Sequence, residues 1–197
     1  MRVRAVPGLG DRYVGSVECL GEGRVLVGVE AEGWGSDRSM VCYELDGGRP
    51  LREGESAPFL GLLELGASAV DGSVRYVTCF PEATPALLGP LPPQALSPER
   101  GVGLRGLEGL RRLADGPRLG LIEGHNILFR LRLSGRDLMV ERVGMRGSPE
   151  AYALGSRASL LLRSGRICGL ALRDIGEAGL SALADARLLP STRATGW

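Results

Sequence analysis

The chain carries two similar series of segments in the same order, and this repetition limits its possible folds more than any other property. In one series, Leu65-Gly66 leads through Ala67 to Val70 and the turn Asp71-Gly72-Ser73 into the apolar run from Val74 to Cys79. In the other, Leu154-Gly155 leads through Ala158 to Leu162 and the turn Ser164-Gly165-Arg166 into the run from Ile167 to Leu172. Downstream, Leu104-Arg105 followed by Leu110 to Asp115 matches Leu172-Arg173 followed by Leu180 to Asp185. Upstream, Glu22-Gly23 opens a strand-like run at Arg24, and Glu123-Gly124 opens another at Asn126. Two strand-rich units that each end in a helix are expected. Neither buries its apolar face alone, so the units should pack as a pseudo-symmetric pair.

Strands are predicted at Tyr13 to Cys19, Arg24 to Val29, Ser39 to Leu45, Phe59 to Leu65 and Val74 to Phe80, separated by Gly-, Asp- and Ser-rich turns. The stretch from Pro81 to Pro98 is too rich in proline for central strands or much helix, and reads as an irregular insertion. Ser97-Pro98-Glu99 is a helix start, and Leu104, Leu107, Leu110 and Leu113 recur at helical spacing until Gly116. Further strands are predicted at Arg118 to Ile122, Asn126 to Leu133, Asp137 to Val143, Ala158 to Leu162 and Ile167 to Leu172, then a helix from about Glu177 to Leu188. Residues 1–117, with the Pro-rich insertion at 81–98, form the first unit, and residues 118–197 the second.

The charged residues narrow the chemistry. All 24 basic residues are Arg, which excludes any site that needs an ammonium group, such as a Walker A loop or a Schiff base. Arg still grips phosphates bidentately, so nucleic-acid binding stays open. A net charge of +1 requires the arginines to gather on one face if they are to serve such binding. Asn126 and Gln94 are the only side-chain amides. A thermophilic habitat explains their scarcity but not the missing Lys, for which the Arg codons of a GC-rich genome are the plainer cause. Cys19, Cys42, Cys79 and Cys168 are widely spaced and the chain has a single His, so a structural zinc site is not expected. No cofactor is implied. No apolar run reaches membrane-span length and no signal peptide opens the chain, so a cytoplasmic protein without membrane contact is expected.

The second unit resembles the repeat of the TATA-box-binding protein family. The resemblance rests on Asn126-Ile127-Leu128, Arg136-Asp137-Leu138, Pro149-Glu150-Ala151-Tyr152, the hairpin Leu160-Leu161-Leu162-Arg163-Ser164-Gly165-Arg166-Ile167, and the helix ending Leu183-Ala184-Asp185. In the first unit, Ala57-Pro58-Phe59 and Val70-Asp71-Gly72 take the corresponding places, while Arg24 stands where a central Asn would fall. The resemblance implies an α+β fold of two pseudo-symmetric repeats, each a curved antiparallel sheet with a helix on its convex side, joined into an open saddle. It also implies a non-enzymatic factor that binds A·T-rich double-stranded DNA in the minor groove or acts with transcription-machinery proteins at initiation, in the cytoplasm at the prokaryotic nucleoid. On that pattern Asn126 donates to minor-groove base acceptors. Phe59, Val70, Tyr152 and Leu162 take the places of the wedges that unstack base steps.

Strand parity adds a face to this picture. Asn126, Leu128, Arg130 and Arg132 should share one side of a strand, with Ile127, Phe129, Leu131 and Leu133 on the core side. The arginines then grip phosphate or a partner's acids, or are merely solvated. A protein-interaction module that kept the saddle without binding DNA is the alternative. A small-molecule enzyme using His125 and Glu123 is a weaker third. The literal G-x-G-x-x-G at Gly101 to Gly106 lacks the buried strand that a dinucleotide site needs before its first Gly.

Overall fold

A computed structural model describes residues 2–4, 13–32, 40–44, 61–68, 74–81, 86–96, 103–105, 111–115, 128–164 and 166–189. The first strands are β1 (Arg2–Arg4), β2 (Tyr13–Gly21), β3 (Arg24–Ala31), β4 (Met40–Glu44), β5 (Gly61–Ser68) and β6 (Val74–Pro81). Then come β7 (Leu87–Leu88), the short α1 (Pro93–Leu96), β8 (Gly103–Arg105) and β9 (Arg111–Asp115). The last part holds β10 (Phe129–Ser134), β11 (Asp137–Arg142), β12 (Glu150–Ala153), β13 (Ala158–Arg163), β14 (Arg166–Leu172) and α2 (Gly176–Asp185). The fold is α+β and dominated by strands.

Two six-stranded sheets carry the architecture, in the orders β2-β3-β6-β5-β4-β9 and β12-β13-β14-β11-β10-β7. Removing β9 and β7 leaves the same five-strand pattern in both: a hairpin, then a three-strand meander whose last strand returns beside the hairpin's second strand. All pairings within these two cores are antiparallel. The turns follow the sequence signals. Gly23 closes β2–β3 with φ of 71°, and Gly135 closes β10–β11 with φ of 60°, conformations that suit residues without a Cβ.

The shared order corrects two of the matches drawn from the sequence. Aligned by topology, β3 corresponds to β11, whereas the Glu-Gly match had set it against the run from Asn126 to Leu133, of which Phe129 to Leu133 lie in β10. The match between Leu110–Asp115 and Leu180–Asp185 joins a strand to a helix. The helix expected through Leu104 and Leu113 is replaced by β8, paired with β1, and β9, paired with β4. Gly101, Gly103, Gly106 and Gly109 explain the failure, because each interior Gly weakens a helix by about 1 kcal/mol. The predicted strand at Arg118 to Ile122 lies outside the described residues.

The Pro-rich stretch is also more than an insertion in the first unit. Leu87 and Leu88 pair in parallel with Arg132 and Leu133 at the edge of the second sheet. Leu91 and Ala95 then cover that sheet's outer face over Met139, Ala151, Leu161, Cys168 and Ala171.

The main core draws alternate residues from both sheets. Val25, Val27, Val29, Val77 and Cys79 of the first share it with Phe129, Leu131, Leu133, Leu160, Leu162 and Leu170 of the second. The predicted core parity of β10 is therefore observed. Gly15 sits where a Cβ would come within 3.0 Å of Leu172 Cδ2, so its small size lets β2 approach the end of β14. Among the described residues, no ladder continues from one large sheet into the other. Helix α2 adds Leu183, followed by Ala186 and Leu188, to the same core. Its end is tied down by backbone bonds from Gly23 N–H to the Ala186 carbonyl (2.8 Å) and from Ala86 N–H to the Leu188 carbonyl (2.7 Å).

Candidate nucleic-acid interface

Alternation along β10 sends Arg130 and Arg132 to the outer face of the second sheet, opposite Phe129, Leu131 and Leu133. Register sets Arg130 beside Glu141 on β11. From β13, on the far side of β14, Arg163 reaches the same carboxylate: its Nη2 donates to Glu141 Oε2 at 2.6 Å. Arg132 Nε lies 3.5 Å and Arg130 Nη1 4.0 Å from Oε1. The Glu141 side chain is only 6% exposed, so water screens it little. One buried carboxylate thus holds three guanidinium groups on one sheet face.

The cluster is not internally saturated. Arg163 Nη1 donates to the Met145 carbonyl at 2.6 Å, but its Nε is buried without a hydrogen-bond partner. Arg132 Nε is close enough to Glu141 for charge attraction, yet it too lacks an aligned hydrogen bond. Beside Arg163 opens a hollow of about 380 Å³, lined by Arg142, Gly144, Met145, Arg146 and Ser164. The arrangement can attract and orient phosphate oxygens, because the Arg163 fork is held by its hydrogen bond to Glu141 while Arg130 and Arg132 gather beside the same carboxylate.

The residues expected to touch DNA do not all reach this face. Leu128, immediately before β10, is 48% exposed beside Arg130. Tyr152 and Leu162 lie on the opposite side. Tyr152 is half-buried against the main core, and its hydroxyl donates to Glu150 Oε2 at 3.0 Å. Leu162 is a fully buried member of that core, in register beside Glu150 on β12. A side chain buried between sheets does not wedge a base step, so Leu162 is corrected to a core residue. Asn126, Phe59 and Val70 lie outside the described residues, as do His125 and Glu123. Of the G-x-G-x-x-G, Gly103 and Leu104 lie in β8, the strand that pairs with β1.

Sequence reasoning missed Glu141 and Arg163. A period-two signal was present, since Asp137, Met139 and Glu141 alternate along one strand, but Arg163 meets Glu141 only across a third strand. Close by, Cys168 is buried on the same side of the sheet, and burial pushes its thiol up to about 12, partly opposed by the Arg163 charge. Cys79 is buried in the main core, and burial raises its thiol as well. Among the described residues no cluster of His, Cys, Asp or Glu could hold a metal ion, and no helix is long and apolar enough to cross a membrane. No family model matches this chain, and no curated protein matches it significantly.

Proposed function

We propose that this protein binds double-stranded DNA without catalysis, as a divergent relative of the TATA-box-binding protein or as a part of a transcription-initiation assembly. The observation that carries the reading is the set of guanidinium groups of Arg130, Arg132 and Arg163 gathered on one sheet face around Glu141. A chain of net charge +1 needs such local concentration to hold a polyanion. The five-strand order repeated in both sheets supports the two-repeat part of the kinship. On this reading Leu128 and Arg130 approach the minor groove, Asn126 reads A·T pairs, and the protein works in the cytoplasm at the nucleoid.

A protein-interaction role is the second reading. It is favoured by the inward placement of Tyr152 and Leu162, which leaves Leu128 as the exposed apolar side chain beside the arginines. A mobility-shift titration on A·T-rich and G·C-rich duplexes at two salt concentrations separates the two. DNA binding predicts affinity that falls steeply with salt and favours A·T-rich duplex. Absence of any shift at moderate salt would leave the protein-interaction reading.

A further inference from the structure

A second surface lies away from the arginine face. Strand β2 is an outermost strand, with β3 as its one ladder neighbour among the described residues. On its other side a cleft of about 500 Å³ runs between Tyr13–Val17 and the first turns of α2, floored by Leu172, Ile175 and Ala178. Arg157 and Arg173 stand at its rim. Their backbones are joined by an Arg173 N–H to Arg157 carbonyl bond of 2.7 Å. Neither guanidinium has an ion pair or side-chain hydrogen bond among the described residues. Asp174, the acid in the cleft, is already paired with Arg136 at 3.7 Å.

We propose that this cleft binds an extended, acidic peptide segment of a partner protein. The side of β2 away from β3, which carries no ladder among the described residues, offers backbone donors and acceptors to an added strand. Alternate side chains of that strand meet the apolar floor. Val14, 51% exposed at the mouth, extends the apolar contact outward. Two cations without a partner among the described residues, over an apolar floor, select carboxylates on an otherwise apolar segment and disfavour a basic one. The proposal is independent of DNA binding, because its residues lie outside the Glu141 cluster.

The test uses the whole chain and a short fluorescein-labelled peptide of alternating glutamate and valine, with a lysine-for-glutamate version as control. Fluorescence anisotropy should show saturable binding of the acidic peptide alone. The exposed-site variant Arg157→Glu/Arg173→Glu should weaken it by about tenfold or more while leaving the circular dichroism and melting temperature unchanged. Hydrogen exchange should show new protection at Tyr13 to Val17 when the peptide is bound. The proposal is overturned if the acidic peptide does not bind, or binds the charge-reversed variant equally well. Protection elsewhere overturns it, as does equal competition by free glutamate, which would indicate a small-anion site. Concentration-dependent dimerisation blocked by the peptide would assign the cleft to a second copy, and would overturn it too.

Discussion

Arg163 crosses β14 to place its Nη2 2.6 Å from Glu141 Oε2, and both side chains are largely shielded, at 15% and 6% exposure. A buried ion pair of this kind stabilises the fold little relative to apolar replacements, but losing one partner is costly. Glu141→Leu should destabilise the protein by about 1–3 kcal/mol, since three guanidinium groups then crowd one face without their carboxylate. Adding Arg163→Met should recover part of that loss. Urea titrations of the two single variants and the double variant measure the coupling. Strict additivity would mean that the pair does not act as a unit.

The same arginines should carry the salt dependence of DNA binding. Replacing Arg130 and Arg132 by Ala should lower the slope of log affinity against log salt by about 0.9 for each phosphate contact removed. The loss should be similar on A·T-rich and G·C-rich duplexes. Asn126→Ala should instead cost about 1–3 kcal/mol on A·T-rich duplex and little on G·C-rich duplex. The paired titrations therefore separate backbone grip from base reading.

Stability should fall in alkali because of the buried thiols. Cys168 has its thiol pushed up to about 12 in the fold, from an ordinary value of 9.0, and Cys79 is raised too. The unfolded chain releases these protons first, so the contribution of each thiol is intact below about pH 9 and is lost as pH rises toward 12. Each should cost about 1.4 kcal/mol per pH unit inside that window. Melting temperature against pH, compared with Cys168→Ala, checks the sign. In native protein at pH about 8, iodoacetamide should modify the exposed Cys19 before Cys79 or Cys168.

Gly169 should tolerate no side chain, because a Cβ there collides with the Val140 carbonyl of the neighbouring strand. Gly169→Ala should force β11 and β14 apart and cost about 1–3 kcal/mol in a denaturant titration. Tyr13→Phe should cost less, about 0.5–1.5 kcal/mol, through loss of the 2.6 Å bond from its hydroxyl to the Val74 carbonyl.

Local pattern in the sequence was enough where a strand's two faces meet different surroundings. Phe129, Leu131 and Leu133 alternate with Arg130 and Arg132, and that alternation names both the core side and the charged side of β10. It was not enough where long-range pairing decided the outcome. Leu104 and Leu113 recur at helical spacing, yet the backbones around them satisfy their hydrogen bonds against β1 and β4, which lie far away in the chain. Tyr152 and Leu162 match a motif by position, but parity along β12 and β13 turns them inward. Arg163 and Glu141 meet only because β14 inserts between β13 and β11, an order that no local spacing encodes.

That insertion has a kinetic consequence. In both sheets the last strand of the meander must slot against the second strand of the opening hairpin, joining Val29 to Val77 and Val140 to Leu170. Each closure must meet its loop entropy before the central ladder gives anything back, so assembly should be slow and governed by these two non-local zippering events. Until they finish, the apolar runs at Val74 to Cys79 and Ile167 to Leu172 stay uncovered. This is the interval in which a newly made chain is most prone to aggregate.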